Sequence, residues 1–202
     1  MANVIGFVGY ESEDIVLYLA KFLCAFKKKV AIVDRTEQEM LLELLEMKTE
    51  QEGEYKGIWI TSQGIEKEQY DIVFFVFGYR LMHPKLYECE KLVMVTDGVP
   101  AHASLLRKVG QWERTQCFII RNLVAMKHGE QYLKMLAGQS QTLCFVIPYT
   151  EQDIRMRCYL GGDTEIYIRK LSKEMKEIVV KLFLWIFSEY EEKEVKRIIK
   201  RL

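Results

Sequence analysis

Proline is scarce in this chain, three in 202 residues, and no Ser/Gly-rich stretch or internal repeat interrupts it. That excludes a linker-separated or repeat architecture and leaves a single domain, 1–202, large enough to bury a core. An excess of either charge is missing too: Lys plus Arg and Asp plus Glu are 29 each, so no global field draws the chain to nucleic acid or anionic lipid. Cys24, Cys89, Cys117, Cys144 and Cys158 are odd in number and show no C-x-x-C spacing. This excludes a zinc or redox motif and a disulfide framework, and predicts a reducing, cytoplasmic setting. The most apolar stretch, Ile178 to Phe187, is far shorter than the ~20 residues that span a bilayer, and no leader or lipidation motif is expected. His83, His102 and His128 are not at metal-ligand spacing and read as solvent-facing. Ser104 and Ser172 lack a G-x-S-x-G context, so no nucleophile stands out.

What is present is alternation. The runs Val4–Val8, Val30–Val33, Ile72–Phe77, Leu92–Val95, Cys117–Ile120 and Leu143–Ile147 are short, apolar and rich in β-branched or aromatic residues, as in strands buried on both faces. Helical patterns at Asp14–Lys27, Glu37–Lys48, Ala101–Gln111, Glu130–Leu136 and Gln152–Leu160 alternate with them. Together they predict an α/β fold, a doubly wound, mostly parallel sheet with helices on both faces. Gly57–Thr61 adds a strand or an edge hairpin between Glu52 and Gln63. From Glu165 onward, Leu171, Met175, Ile178, Val179, Leu182, Phe183, Ile186, Phe187 and Tyr190 fall at helical spacing. They predict a long C-terminal helix over about 165–201, broken at most once, covering one face of the sheet.

In open sheets of this kind ligands bind beyond the carboxyl ends of the strands. After Val4–Val8 comes Gly9-Tyr10-Glu11-Ser12-Glu13-Asp14 and then a helix. Strand, glycine turn and helix is how phosphate-binding loops begin, and a working G-x-x-x-x-G-K-[ST] loop aims backbone N–H groups and a lysine at the phosphates. Here Glu11, Glu13 and Asp14 occupy the turn, with no Lys or Arg before Lys21. A carboxylate ~4 Å from a phosphate oxygen costs about 1 kcal/mol in water and about 4 kcal/mol at an effective dielectric near 20. The acids instead offer the helix dipole its negative charge internally, and Ser12 is placed to cap the helix. The spacing Gly6, Gly9, Ser12 with Asp34 faintly resembles a dinucleotide fingerprint but lacks its second glycine.

The succession of strand ends resembles the MinD/ParA-like class of P-loop ATPases over nearly the whole chain. A "KK-V-hydrophobic-D" strand is matched by Lys28-Lys29-Val30-Ala31-Ile32-Val33-Asp34, and a "YD-hydrophobic-D" strand by Tyr70-Asp71-Ile72-Val73-Phe74-Phe75-Val76. Phe118-Ile119-Ile120-Arg121-Asn122 matches a strand ending in an adenine-reading Asn, and Val146-Ile147-Pro148-Tyr149 a final "IP-Y/F" turn with Gly161 or Gly162 beyond it. The resemblance also marks what is gone. Ser12 stands where the loop lysine would be, Glu13 where the magnesium-binding hydroxyl would be, and Val76 where the Walker B aspartate would be. Asp34 survives in place.

The resemblance therefore implies a nucleotide face made of Gly9, Tyr10, Glu11, Ser12, Glu13, Asp34, Asn122, Pro148 and Tyr149, with no catalytic residue and no metal ligand retained. Either no cofactor is held, or ATP or ADP binds weakly through Asn122 and Pro148-Tyr149 with Arg35, Arg80 or Arg121 reaching the phosphates. On a plainer reading Asn122 ends a strand and Pro148 makes a turn. Phosphoryl transfer has lost most of its recurring parts, so the expected role is a scaffold or localisation factor working through protein partners. The nearest type is the TadZ/CpaE-like proteins of pilus assembly and secretion. A homodimer is implied, and no nucleic acid is expected. The short basic end Glu194 to Leu202 is expected to pack on its own domain or on a partner rather than to anchor at a membrane. A slow ATP-dependent switch and a ParA-like partition factor are the alternatives.

Overall fold

The computed structural model describes residues 2–47, 51–107, 115–123, 143–161 and 166–202. Eight strands form one sheet: β1 (Asn3–Gly9), β2 (Val30–Asp34), β3 (Glu52–Tyr55), β4 (Ile58–Thr61), β5 (Ile72–Val76), β6 (Lys91–Thr96), β7 (Thr115–Leu123) and β8 (Leu143–Pro148). Their order is β3-β4-β2-β5-β1-β6-β7-β8. Every neighbouring pair is parallel except β3–β4. The continuous apolar runs are the central strands, where residues of both pleat faces are buried. The β3–β4 hairpin turns at Lys56-Gly57, with φ of 54° and 85°, the doubly positive pair that a two-residue primed turn requires.

The helices are α1 (Glu13–Ala25), α2 (Met40–Leu44), α3 (Pro100–Arg107), α4 (Glu151–Cys158), α5 (Lys173–Ile186) and α6 (Glu192–Ile199). On one face of the sheet, residues of α1, α2, α4, α5 and α6 share a core with Phe7, Ile32, Phe74 and Ile119. Every residue from Glu13 to Ala20 is buried, because α1 lies between the sheet and the C-terminal helices. The other face holds Val33, Phe75, Phe77, Met94 and Phe118, with Leu86 of the 3-10 turn Pro84–Glu88 packed on them. The crossover from β6 through α3 to β7 runs along the sheet opposite to that from β1 through α1 to β2. Right-handedness of both crossovers therefore puts α3 on this second face. Gly6 makes a close approach possible: a Cβ there would lie 2.8 Å from both Cys89 Sγ and Leu92 Cδ2.

The C-terminal helical region starts later than expected and is broken once. A 3-10 turn at Ile168–Lys170 precedes α5, which begins only after Ser172, whose Oγ accepts from the Met175 N–H at 3.0 Å. Phe187 leaves the helical region (φ −123°, ψ 76°), and Tyr190 folds back so that its ring lies 4.6 Å from Phe26 and 5.4 Å from Phe183. The aromatic contacts offset the interrupted helix, and the chain restarts as α6. That helix turns Val195 and Ile199 into the domain's own core. No helix among the described residues is long and apolar enough to cross a membrane. The helix expected at Glu130–Leu136, the end of the Ala101–Gln111 pattern beyond Arg107, and Gly162 lie outside the described residues.

Phe183 is the hub of this face: fully buried, with ring centroids of Phe22, Phe26, Phe187 and Tyr190 within 4.9–5.4 Å. Phe183→Ala is expected to destabilise the domain by about 3–5 kcal/mol in urea unfolding. A loss below about 1 kcal/mol would show that the C-terminal helices are not docked as described.

Candidate functional site

The residues implicated by sequence sit along the carboxyl edge of the sheet, and the loop after β1 is its centre. Gly9 turns the chain with φ 110°, its N–H donating to the Gly78 carbonyl at 2.7 Å, while Tyr10 N–H donates to the Val95 carbonyl at 2.8 Å. The loop is thus pinned to the ends of β5 and β6. Glu11 follows at φ 40°, a left-handed conformation uncommon outside glycine. Ser12 does not cap α1: it has φ −97° and ψ −5°, close to helical rather than extended, and its Oγ is buried with no hydrogen-bond partner among the described residues. A capping residue needs the β region to bring its oxygen back to the free N–H groups.

The acids of this loop are neutralised from within. Asp14, fully buried, accepts from Arg121 Nη1 at 2.7 Å and Nη2 at 2.9 Å, and from the Ile15 N–H at 2.9 Å. Burial alone would raise its carboxyl pKa, but Arg121 and, more distantly, Arg157 hold it below the ordinary 3.8. Arg121 is in turn held above its ordinary range by Asp14, against the effect of its own burial. The same Arg121 Nη1 donates to the Glu11 carbonyl, bracing the strained turn. Arg157, on α4, pairs with the Glu11 carboxylate and lies 3.9 Å from Glu13 Oε2.

Glu13 is the exception. Its side chain is buried and Oε2 has no hydrogen-bond partner among the described residues. Burial, with smaller contributions from Asp14 and Asp34, pushes its pKa from 4.5 up to about 7, while its own backbone N–H and Arg157 pull the other way. The first turn of α1 thus carries a buried carboxyl whose pKa is pushed up to about 7.

The remaining implicated residues serve the backbone. Asp34 accepts from Thr36 N–H at 2.9 Å, Thr36 Oγ1 at 2.7 Å, Leu41 N–H at 2.7 Å and Leu42 N–H at 3.3 Å. Its carboxylate therefore organises the loop from β2 into α2. Arg35 donates both Nη groups to the Ser62 and Gln63 carbonyls. Asn122 has φ 59° and sits in the irregular register between Ile120 and Leu123. Pro148 pairs with Leu123, and the Tyr149 N–H donates to the Leu123 carbonyl at 3.1 Å, leaving the Tyr149 ring exposed. Asn122 thus lies one residue before the end of β7, and Pro148 ends β8. Of the three candidate phosphate-reaching arginines, Arg121 and Arg35 are committed elsewhere, and Arg80 is tied to the Arg35 carbonyl at 3.3 Å. The loop does not fit a nucleoside triphosphate: carboxylates occupy the anion's side of α1, and the nearby guanidiniums already neutralise them.

Sequence reasoning missed two contacts. Arg157 carried no signal on a polar helix. His102, expected to face solvent, is half-buried, with Nδ1 2.9 Å from Asp97 Oδ1. Its ring stacks on Tyr10 at 5.2 Å and tilts against Tyr79 at 5.9 Å. Asp97 also accepts from the Val99 N–H just before α3, and an acid before a helix with a histidine five residues on is the one local signal the sequence held for it. His83 accepts from the Lys85 N–H and packs on Phe77. His128 lies outside the described residues, among which no group of three or more side chains is arranged to hold a metal ion.

No protein-family model and no curated protein matches the sequence. The fold does match solved structures. MinD in the MinC:MinD cell division complex of Aquifex aeolicus aligns with a TM-score of 0.63 at 12% identity, over 90% of this chain and 96% of that one. A ParA family ATPase from Chlorobium tepidum aligns at 0.62 and 13% identity, over 89% and 99%. The pNOB8 ParA bound to nonspecific DNA aligns at 0.50 and 17% identity, over 100% and 99%. The chain has the MinD/ParA-like P-loop NTPase fold.

Glu13 makes the loop's stability depend on pH. The folded state holds this proton more tightly than the unfolded chain, so the stability it supplies is fully present below pH 4.5 and is lost as pH rises through about 7. The loss is on the order of 3 kcal/mol. Glu13→Gln is expected to flatten that part of the stability–pH profile in urea titrations. An unchanged slope between pH 5 and 7 would assign it to other groups.

Proposed function

We propose that this chain is a catalytically degenerate relative of MinD and ParA that acts as a scaffold or localisation factor through protein–protein contacts. The observation that carries this reading is the closed set of charges in the first loop. Where a P-loop directs a lysine, a hydroxyl and free N–H groups at phosphates, this loop places Glu11, Glu13 and Asp14, paired with or faced by Arg121 and Arg157. An incoming triphosphate would have to displace those pairs while meeting the acids. MinD was solved in a complex with MinC, which supports a protein partner as the kind of ligand this fold serves. By analogy with TadZ/CpaE-type proteins the setting is pilus assembly or secretion, and the expected state is a homodimer.

A second reading has its own observation. The pNOB8 ParA was solved on nonspecific DNA, so the same fold carries DNA binding in that protein. The balance of charge in this chain gives little counterion release to drive it. Duplex DNA retained at about 150 mM salt would revive a partition role.

Isothermal titration with ATP and magnesium, together with phosphate release, tests the main reading. No saturable binding in the micromolar range and no turnover are expected. Glu11→Gly/Glu13→Gly is expected to leave turnover absent, because the lysine, the hydroxyl and the Walker B carboxylate remain missing. Micromolar binding with measurable phosphate release would overturn the reading.

A further inference from the structure

Beside the acidic loop, two open depressions meet on the carboxyl edge of the sheet, between the segment after β2 and the segment after β5. One, of about 530 Å³, is bordered by Tyr79, Leu81, Met82 and His83. The other, of about 510 Å³, is bordered by Gln38, Glu39 and Met40. Glu37 and Arg80 border both and so stand at the waist of one continuous patch. Large apolar side chains are exposed on each side of that waist, Met82 at 83% and Tyr79 at 36% on one, Met40 at 40% on the other. Adjacent exposed apolar groups mark interaction surfaces more often than isolated ones do, and methionine adapts its shape to a partner at little cost.

The two sides carry opposite charge. On the Met82 side, burial and then Arg80, Arg35 and Lys85 hold the His83 pKa below the ordinary 6.5, which marks these cations as its neighbours. Lys85 and Lys67 share one carboxylate, Glu88. Arg35 and Arg80 donate to the backbone carbonyls of Ser62, Gln63 and Arg35, bonds that leave both guanidiniums fully charged. On the Met40 side stand Glu37 and Glu39. Among the described residues no ion pair joins Glu37 to Arg80. Both sides are ordered in advance: the Asp34 carboxylate holds the backbone at Thr36, Leu41 and Leu42, and the Arg80 and His83 N–H groups donate to the Phe77 and Arg80 carbonyls. A surface ordered in this way loses little freedom on association.

We infer that this patch is a two-fold interface between two copies of the chain, in which Met40 of each copy packs on Tyr79 and Met82 of the other and Glu37 of each meets Arg80 of the other. A patch with opposite charge on the two sides of a common waist becomes its own complement after a half-turn about that waist. Closed two-fold dimers require that self-complementarity. A basic segment laid along the patch would meet Arg35 and Arg80, and an acidic segment or a polyanion would meet Glu37 and Glu39. A second copy, half-turned, sets unlike charges together on both sides. A small ligand would find a wide, open surface with no convergent buried polar groups to orient it. The inference rests on the reading of the chain as a protein-binding scaffold, and gives the homodimer of that reading a surface that needs no nucleotide.

The test is sedimentation equilibrium of the full chain at low salt without nucleotide. A monomer–dimer equilibrium in the micromolar range is expected. Glu37→Lys and Arg80→Glu should each weaken it about 10-fold or more, since each sets two like-charge pairs across the axis. An equimolar mixture of the two variants should associate within about 3-fold of the wild-type affinity, because their heterodimer holds one native pair and one pair with both signs reversed. A variant that merely misfolds gains nothing from mixing. Met82→Ser should weaken the dimer about 5-fold. Glu68 lines a depression at the opposite, amino edge of the sheet, so Glu68→Lys makes the same change in net charge as Glu37→Lys and should leave the dimer intact. A monomer at every concentration, a dimer indifferent to both reversals, a mixture no tighter than either variant alone, or open-ended assembly would overturn the inference. A monomer that also lacks ATP turnover removes this interface and leaves the scaffold reading. A dimer with these dependences in a chain that turns over ATP does the reverse.

Discussion

The buried pair between Asp14 and Arg121 is the interaction on which the carboxyl edge of this domain depends. It joins the first turn of α1 to the end of β7, two strands away across the sheet. Neither charge has another route to solvation: the side chains are 2% and 3% exposed. A lone buried carboxylate or guanidinium carries a desolvation cost of several kcal/mol, and only a well-formed, multiply bonded pair offsets it. Both carboxylate oxygens and both terminal guanidinium nitrogens are engaged here. The geometry of the glycine turn, the strained Glu11 and the entry into α1 all follow from where this pair must sit.

The pair also accounts for how a phosphate-loop fold can persist with acids in the loop. In a nucleotide-binding relative the positive end of the first helix faces an anion supplied by the ligand. Here Glu13 and Asp14 are on the first turn of α1, so the anion is part of the chain, and the Arg121 guanidinium is paired with one of them. Arg157 repeats the arrangement one step out, pairing with Glu11. Glu13, left without a hydrogen bond to Oε2, takes up a proton near neutral pH. The result is a carboxyl edge whose centre is electrostatically closed while its periphery, at Tyr79, Met82 and Met40, stays open.

Much of the fold was legible because its central strands are apolar on both faces, and runs such as Ile72–Phe77 and Leu92–Val95 leave little choice of element. The edge strand β3 was less so: Glu52-Gly53-Glu54-Tyr55 pairs on one side only and needs no apolar run, and its turn uses Lys-Gly rather than Asn-Gly. The position of the break after Ile186 was hidden because Phe187 and Tyr190 keep the helical spacing of apolar residues while packing as a returning loop. At the site, the acids could be read and their partners could not. Arg121 lies 107 residues from Asp14 and Arg157 lies 146 from Glu11, separations over which no local pattern operates. Asp34 was read as part of a nucleotide face; that its carboxylate accepts from the backbone of the following loop was not visible in any local pattern.

A double-mutant cycle on Asp14→Asn and Arg121→Met, followed by urea unfolding at pH 7, tests most directly whether the loop is closed by its own charges. Each single change strands one buried charge or its partner and is predicted to cost about 3–5 kcal/mol. The double change is predicted to cost much less than the two together, with a coupling of at least about 2 kcal/mol. Additive losses within about 0.5 kcal/mol would contradict the account, because Arg121 would then be free of Asp14 and available to an anion.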